Sequence, residues 1–207
     1  MAKIKKIFVT VKGFKKTAYH HYGYSPLSLL KFIYYGGIRI NTFIVYENDL
    51  RRVLRNHNID PDFRVVKPTI EELDKIRTGK DLPREFYYDK IYNAKTCYLA
   101  LKDDQIAYIH WVLFRGDYSR FLNLSDGVAE LNYNTTLPEF RGHSLAAKVM
   151  AYISKDLQRI GYKKLMGVVH EFNYPQNKCM LKAGFEEVTR IKALGPFNRK
   201  LTVSSND

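Results

Sequence analysis

The apolar positions of this chain change period at Pro138, and the elements on either side of that change organise the rest. Residues 129–136 read as a strand, and pairing is expected to stop at Pro138, which has no amide to give a ladder. Beyond a short run of small and basic residues, Leu145, Val149, Ile153 and Leu157 recur four apart, with Ala146, Met150 and Ile160 on the same side. That spacing predicts an amphipathic helix, closed by Gly161 as a left-handed cap. Downstream, 165–169 is an apolar run of strand length, followed by a short helix and a further strand over 185–193 that offers Glu186, Glu187 and Arg190 to solvent. Upstream, 63–67 reads as a short strand ended by Pro68, and Thr69 followed by first-turn glutamates marks a helix start. Residues 86–91 form a second helical piece. The runs 95–101 and 107–114, joined by Lys102-Asp103-Asp104-Gln105, read as a hairpin, and 115–127 as a polar loop. Nearer the N-terminus, Ser25-Pro26 starts a helix over 27–35 that Gly36-Gly37 ends. A strand over 38–46 and a basic turn or short helix over 48–56 follow, and 201–203 is expected to be a last edge strand. There is no internal repeat and no low-complexity tract.

A strand that delivers small residues to a helix N-terminus makes free amides converge on one point. With the positive end of the helix dipole, such a point favours a phosphate group. Composition adds a frame. Hydrophobic residues make up 45% and aromatics 14% of the 207 residues, which excludes a disordered chain and suits one domain plus an extension. We place the boundary between residues 60 and 61. Two cysteines make no disulfide framework and suit a reducing compartment. No run approaches a membrane span, and the basic start carries too short an apolar stretch for a signal peptide, so a cytoplasmic location is expected.

The net charge of +13 is uneven. Residues 1–60 hold eleven Lys and Arg against Glu47, Asp49 and Asp60, interleaved with Phe8, Phe14, Tyr19, Tyr22, Tyr24, Phe32, Tyr34 and Tyr35. Three readings compete for this segment. It packs on the main domain with its lysines solvated, it meets an anionic membrane surface, or, ranked last, it meets nucleic acid.

The run Pro138-Glu139-Phe140-Arg141-Gly142-His143-Ser144-Leu145-Ala146 resembles the acyl-CoA pyrophosphate loop of the GNAT acetyltransferase superfamily. Arg141 and Ala146 fit the pattern, while Ser144 stands where the family most often has glycine. If that position needs a positive φ, serine costs more than glycine there. If it needs only close approach, the hydroxyl could donate to phosphate. A second stretch, from Asn173 through Lys182-Ala183-Gly184-Phe185, resembles the family's second cofactor segment, in the same order and separation. The resemblance implies an α/β (α+β) GNAT fold with a mixed, mostly antiparallel sheet flanked by helices, carrying a basic N-terminal extension. It also implies transfer of an acetyl or short acyl group from acetyl-CoA, or another acyl-CoA, to an amine. In such a site Arg141, Gly142, His143, Ser144, Leu145 and Ala146 would hold the pyrophosphate. Asn134, Thr135 and Thr136 would line the pantetheine, with Asn173 and Lys182 on the far wall.

That reaction needs a base to free the amine's lone pair, donors for the thioester carbonyl and a proton for the departing thiolate. Glu130 is the candidate base; an ion pair or a solvated strand end is its structural alternative. Strict alternation would put Glu130, Asn132, Asn134 and Thr136 on one face. His110 could share the acceptor cavity with Glu130, though a lone strand histidine is more often a hydrogen-bonded core residue, and His170 carries the same discount. His20-His21 has no partner residues for a metal, and none is expected. For the acid the sequence departs from the family: Met180 occupies the position of the family's tyrosine and cannot donate a proton. Tyr133, Tyr174 or water are left as substitutes. The acceptor is expected to be a small molecule such as an amino sugar, enclosed by the 115–127 loop, with a protein amine next. The rival class is a non-catalytic module of the same fold that docks through residues 1–60.

Overall fold

A computed structural model describes residues 15, 18–19, 24–37, 40–52, 61–194 and 199–200. The edge strand expected over 201–203 and the second half of the basic turn lie outside these. Five α-helices are described: α1 (Pro26–Gly37), α2 (Ile70–Arg77), α3 (Tyr88–Tyr92), α4 (Leu145–Arg159) and α5 (Tyr174–Lys182). The strands are β1 (Ile40–Asp49), β2 (Arg64–Val66), β3 (Thr96–Lys102), β4 (Gln105–Leu113), β5 (Val128–Thr136), β6 (Lys164–His170), β7 (Glu186–Leu194) and β8 (Arg199–Lys200).

The chain separates into two compact units, residues 43–190 and the remaining 1–42 with 191–207. Phe43–Asp49 of β1 therefore belongs to the larger unit. The reason is its apolar run, which buries Ile44, Val45 and Tyr46. It pairs antiparallel with β6 from Phe43 opposite His170 to Asp49 opposite Lys164. A strand placed between β6 and β7 is part of the sheet and not an appendage. Within the larger unit the order is β2-β3-β4-β5-β6-β1-β7. The β2–β3, β3–β4 and β4–β5 pairs are antiparallel, and β5–β6 is parallel. The β3–β4 hairpin turns on Asp103 and Asp104, both left-handed at φ 48 and 59, the conformation a two-residue turn needs to match strand twist.

Each face of this sheet has its own core. On one, α4 turns Leu145, Val149, Ile153 and Leu157 onto Ala129, Leu131 and Leu165, joined by Met180 and Phe185 from α5 and its exit. Each such buried side chain contributes about 2 kcal/mol. On the other, Leu73 of α2 and Phe86 and Tyr88 of the next segment pack on Leu99, Ile109, Trp111 and Leu113. α2 starts with a full capping box: the Thr69 hydroxyl accepts from the Glu72 amide, and the Glu72 carboxylate accepts from the Thr69 amide. Arg77, buried at its end, donates to the Phe86 carbonyl and to Asp89, both at 2.7 Å. Trp111 Nε1 donates to the Glu85 carbonyl at 2.7 Å, so segment 84–92 is pinned at three points.

In the smaller unit α1 begins as expected, with the Leu27 amide donating to the Ser25 hydroxyl at 3.3 Å. Leu27, Leu30, Ile33 and Tyr34 on α1 are exposed. β8 pairs antiparallel with the end of β7. Among the described residues no helix is long and apolar enough to cross a membrane.

Candidate active site

The site is built where β5 loses its regular partners. Its ladder to β4 pairs Trp111 with Asn132 and His110 with Asn134, leaving Tyr133 as an extra, bulged residue. Tyr133 has φ +31, a backbone state that bulky side chains rarely adopt. Side chains alternate with period two, so one inserted residue sends everything after it to the other face. The expected alignment of Glu130, Asn132, Asn134 and Thr136 is therefore corrected. Glu130 and Asn132 lie on the face of α2 and α3, while Asn134 and Thr136 turn to the face of α4. His110, directly across from Asn134, goes with them and does not share a cavity with Glu130. It is 1% exposed, its Nδ1 is 2.7 Å from the Tyr108 hydroxyl, and burial pushes its pKa down to about 3, so the ring is neutral packing.

Toward β6 the parallel ladder runs only from Val128 opposite Lys164 to Leu131 opposite Gly167. Both strands continue beyond it, β5 bonded to β4 and β6 bonded to β1, so a fork opens between two halves of the sheet. At its apex a Cβ on Gly167 would lie 2.6 Å from Met180 Cε and 3.8 Å from Leu131 Cβ. A side chain at this position would push on the flexible end of Met180. The methionine that stands in place of a proton donor is a buried wedge at the fork, 1% exposed.

At the end of β5 the Leu137 amide still donates to the Ala107 carbonyl at 2.9 Å, and Pro138–Phe140 then forms a single 3-10 turn. Gly142 follows at φ +91 and Ser144 at φ +56. The first bond of α4 runs from the Lys148 amide to the Ser144 carbonyl at 3.2 Å. The amides of Gly142, His143, Ser144, Leu145, Ala146 and Ala147 consequently donate to no acceptor among the described residues. Six consecutive unspent donors at the positive end of a helix of 15 residues form an anion cradle. Ser144 occupies the left-handed position at which serine costs more than glycine, and its hydroxyl accepts a hydrogen bond from Lys182. Lys182 Nζ donates to Ser144 Oγ at 3.0 Å, which brings the second segment's lysine to the mouth of the loop. The ring of His143 lies 5.3 Å from Phe63.

Asn173 stands apart from this cradle in role. Its side chain accepts from the Gln176 amide at 3.3 Å and caps α5. Asn177, which nothing in the sequence singled out, ties the end of β6 to that helix. Its Nδ2 donates to the carbonyls of His170 at 3.2 Å and Glu171 at 3.0 Å, and its Oδ1 accepts from the Tyr46 hydroxyl at 3.2 Å.

On the opposite face Glu130 is 2% exposed. Its Oε1 accepts from Asn132 Nδ2 at 3.1 Å, and its Oε2 has no hydrogen-bond partner among the described residues. Burial pushes its pKa up to about 7, against the opposing pull of the Ser119 hydroxyl and Asn132. A carboxyl group poised there takes and gives protons at neutral pH. Tyr133 stacks on Tyr92 with ring centroids 5.4 Å apart and 11° between planes, and touches Tyr88 at 4.2 Å. Burial raises the Tyr133 phenol to about 12, so it keeps its proton.

A family model described as acetyltransferase (GNAT) family matches residues 66–185. Among solved structures, a Drosophila protein superposes with a TM-score of 0.55 at 12% identity, over 82% of this chain and 55% of that one. A GCN5-related N-acetyltransferase from Sphaerobacter thermophilus gives 0.55 at 14% identity, over 81% and 55%. An acetyltransferase of the GNAT family from Colwellia psychrerythraea gives 0.53 at 16%, over 74% and 55%. At these identities the likeness is one of fold, and the chain spans just over half the length of each of these structures. No curated protein sequence matches it.

Proposed function

The chain belongs to the acetyltransferase (GNAT) family, and we propose that it moves an acetyl or other short acyl group from acyl-CoA to an amine acceptor. The observation that carries this is the row of six unspent amides over residues 142–147, with the Lys182 ammonium beside them and the β5–β6 fork leading away. These residues fit a diphosphate, because unspent amide donors, a helix N-terminus and one cation lie together. A Cβ on Gly142 would meet nothing within 4 Å. The bound acyl-CoA supplies an acyl group already activated as a thioester. Asn134, Thr135 and Thr136, on β5 beyond the parallel ladder, would hold the arm that carries it.

Glu130 acts as the base. An acceptor amine enters as an ammonium, without a lone pair, and a carboxylate titrating near neutrality removes its proton at little cost. Tyr133 holds its proton at the same pH and follows Glu130 on the same strand, so it is assigned to the departing sulfur in place of the tyrosine that Met180 displaces. His110 takes no part. The test is acetyl-CoA titration followed by thermal unfolding: a ligand at 100 times its Kd stabilises by about 2.7 kcal/mol. A screen of amines reporting free CoA thiol then identifies the acceptor.

A second role in docking is favoured by one observation, the exposed row of Leu27, Leu30, Ile33 and Tyr34 beside Lys31 on α1. With eleven basic residues in 1–60, this row suits an anionic lipid surface. Sedimentation with phosphatidylserine vesicles, lost in Leu30→Asp and Ile33→Asp, would support it; equal recovery of both variants with vesicles would remove it.

A further inference from the structure

Glu130 shares its face of the sheet with a line of rings that the chemistry of acyl transfer does not use. The register fixes which residues these are. Ala129, Leu131, Leu165, Val169 and Ile44 belong to the core under α4. Glu130 on β5, Met166 and His170 on β6 and Phe43 on β1 therefore turn the other way. Phe43 and His170 stand directly opposite each other and meet edge to face, with ring centroids 5.2 Å apart and 87° between planes. Phe121, from the loop between β4 and β5, lies 4.6 Å from Phe43. On the other side His170 lies 5.6 Å from Phe172, and Phe172 lies 6.3 Å from Tyr174 at the start of α5. The line is held in place. His170 Nδ1 accepts from the Phe172 amide at 3.2 Å, and Asn177 holds the carbonyls of His170 and Glu171 in the same turn. Arg120 sits 5.3 Å over Phe121, which makes that ring a buttress for Phe43. Phe43 and His170 are half-buried, and Phe172 is 42% exposed. Met166 pairs with Glu130, and His170 stands four residues further along β6, about 13 Å away at 3.3 Å per residue. The fork opens between those two levels, so an amine attacking there is left about 7 Å from the rings. A ring carried on a two-carbon chain spans that gap.

We propose that the acceptor is an arylalkylamine, whose ring lodges against Phe43, His170 and Phe172 while its amino group meets Glu130. The proposal rests on the acyl-transfer reading of this site. Rings prefer edge-to-face or offset contact with other rings, and such pairs bind more tightly than the buried area alone gives. A sugar would bring hydroxyls to a wall made mostly of carbon, where each gives up water for no partner. A bare alkylamine or a polyamine would leave the rings uncovered. The transfer itself is unchanged. Glu130 takes one proton from the ammonium, the nitrogen joins the acyl carbon as the carbon–sulfur bond breaks, and a second nitrogen proton leaves with the sulfur as free CoA thiol.

Three amines that differ only in the group on a two-carbon chain test this: 2-phenylethylamine, 2-cyclohexylethylamine and ethylamine. Free thiol release from acetyl-CoA is followed with wild type, Phe43→Leu and Phe172→Ala. The expected result is a kcat/KM for 2-phenylethylamine roughly tenfold or more above that for ethylamine, with the puckered cyclohexyl compound between them. Each substitution should shrink that preference by roughly threefold or more through KM, with kcat and the constants for ethylamine little changed. Phe172 lies in a surface turn, so its alanine variant keeps the test open even where Phe43→Leu fails to fold. Equal use of 2-phenylethylamine and ethylamine overturns the proposal. A cyclohexyl compound used as well as the phenyl one, or variants that lower all three amines alike, overturns it too. Thermal shifts are recorded beside the kinetics. If acetyl-CoA stabilises the protein but 2-phenylethylamine is not turned over, the acceptor proposal fails and the transferase reading stands. If acetyl-CoA itself gives no shift, the transferase reading fails and takes the proposal with it.

Discussion

Replacing Glu130 by glutamine separates two consequences of burying a carboxyl group. Its pKa is moved by desolvation from an ordinary 4.5 to about 7, so the folded protein binds this proton more tightly than the unfolded chain does. Stability from this group is therefore complete below about pH 4.5, falls as pH rises between the two values, and is lost above about 7. Between pH 5 and pH 8 the loss is roughly 2–3 kcal/mol. Glutamine keeps the shape, still accepts from Asn132, and cannot ionise. Urea unfolding of wild type and Glu130→Gln at several pH values gives the difference directly, because other titrating groups cancel in the subtraction. The variant should gain on the wild type by about that amount across this window. It should also lose about 10²- to 10⁴-fold in turnover. In the wild type, kcat/KM should climb tenfold per pH unit up to about 7 and then level. A pH-independent stability difference would show that the carboxyl is not desolvated, and undiminished turnover in the variant would remove it as the base.

Three further outcomes are expected. Gly167→Ala puts a Cβ 2.6 Å from Met180 Cε and should destabilise by about 1–3 kcal/mol, with part of the loss recovered when Met180→Ala is added, as a double-mutant cycle will show. Ser144→Gly relieves a left-handed serine and should raise stability by about 1 kcal/mol in denaturant titrations, yet weaken CoA binding because the bond from Lys182 to the Ser144 hydroxyl is removed. His110→Phe breaks a buried bond to Tyr108 and should cost about 1–3 kcal/mol of stability, measured by thermal melts, while the pH profile of kcat/KM keeps its shape.

The strand, loop and helix around Pro138 were legible because their signals are local. A missing amide, a run of small residues and a four-residue apolar spacing each act over a single turn. The capping box at Thr69 and the aspartates of the β3–β4 hairpin were legible for the same reason. Other features depend on partners far along the chain. The bulge at Tyr133 leaves no mark in the run Asn132-Tyr133-Asn134-Thr135-Thr136, so strict alternation carries Glu130 and Asn134 to one face and sets His110 beside Glu130, where the bulged register separates them. The place of β1 follows from seven pairings with β6, over a hundred residues away, and no local pattern announces them. Tyr46 and Asn177 meet only because of that placement.

Amide resonances of residues 142–147 report most directly on the central claim, that unspent backbone donors at the start of α4 receive a diphosphate. The labelled protein is titrated with CoA and, separately, with inorganic pyrophosphate, and the shifts are compared residue by residue. The account predicts that Gly142, His143, Ser144, Leu145, Ala146 and Ala147 move most with both ligands, and that Lys182→Ala weakens both titrations. Saturable CoA binding that leaves these six amides unmoved, or no binding at millimolar CoA, would contradict it.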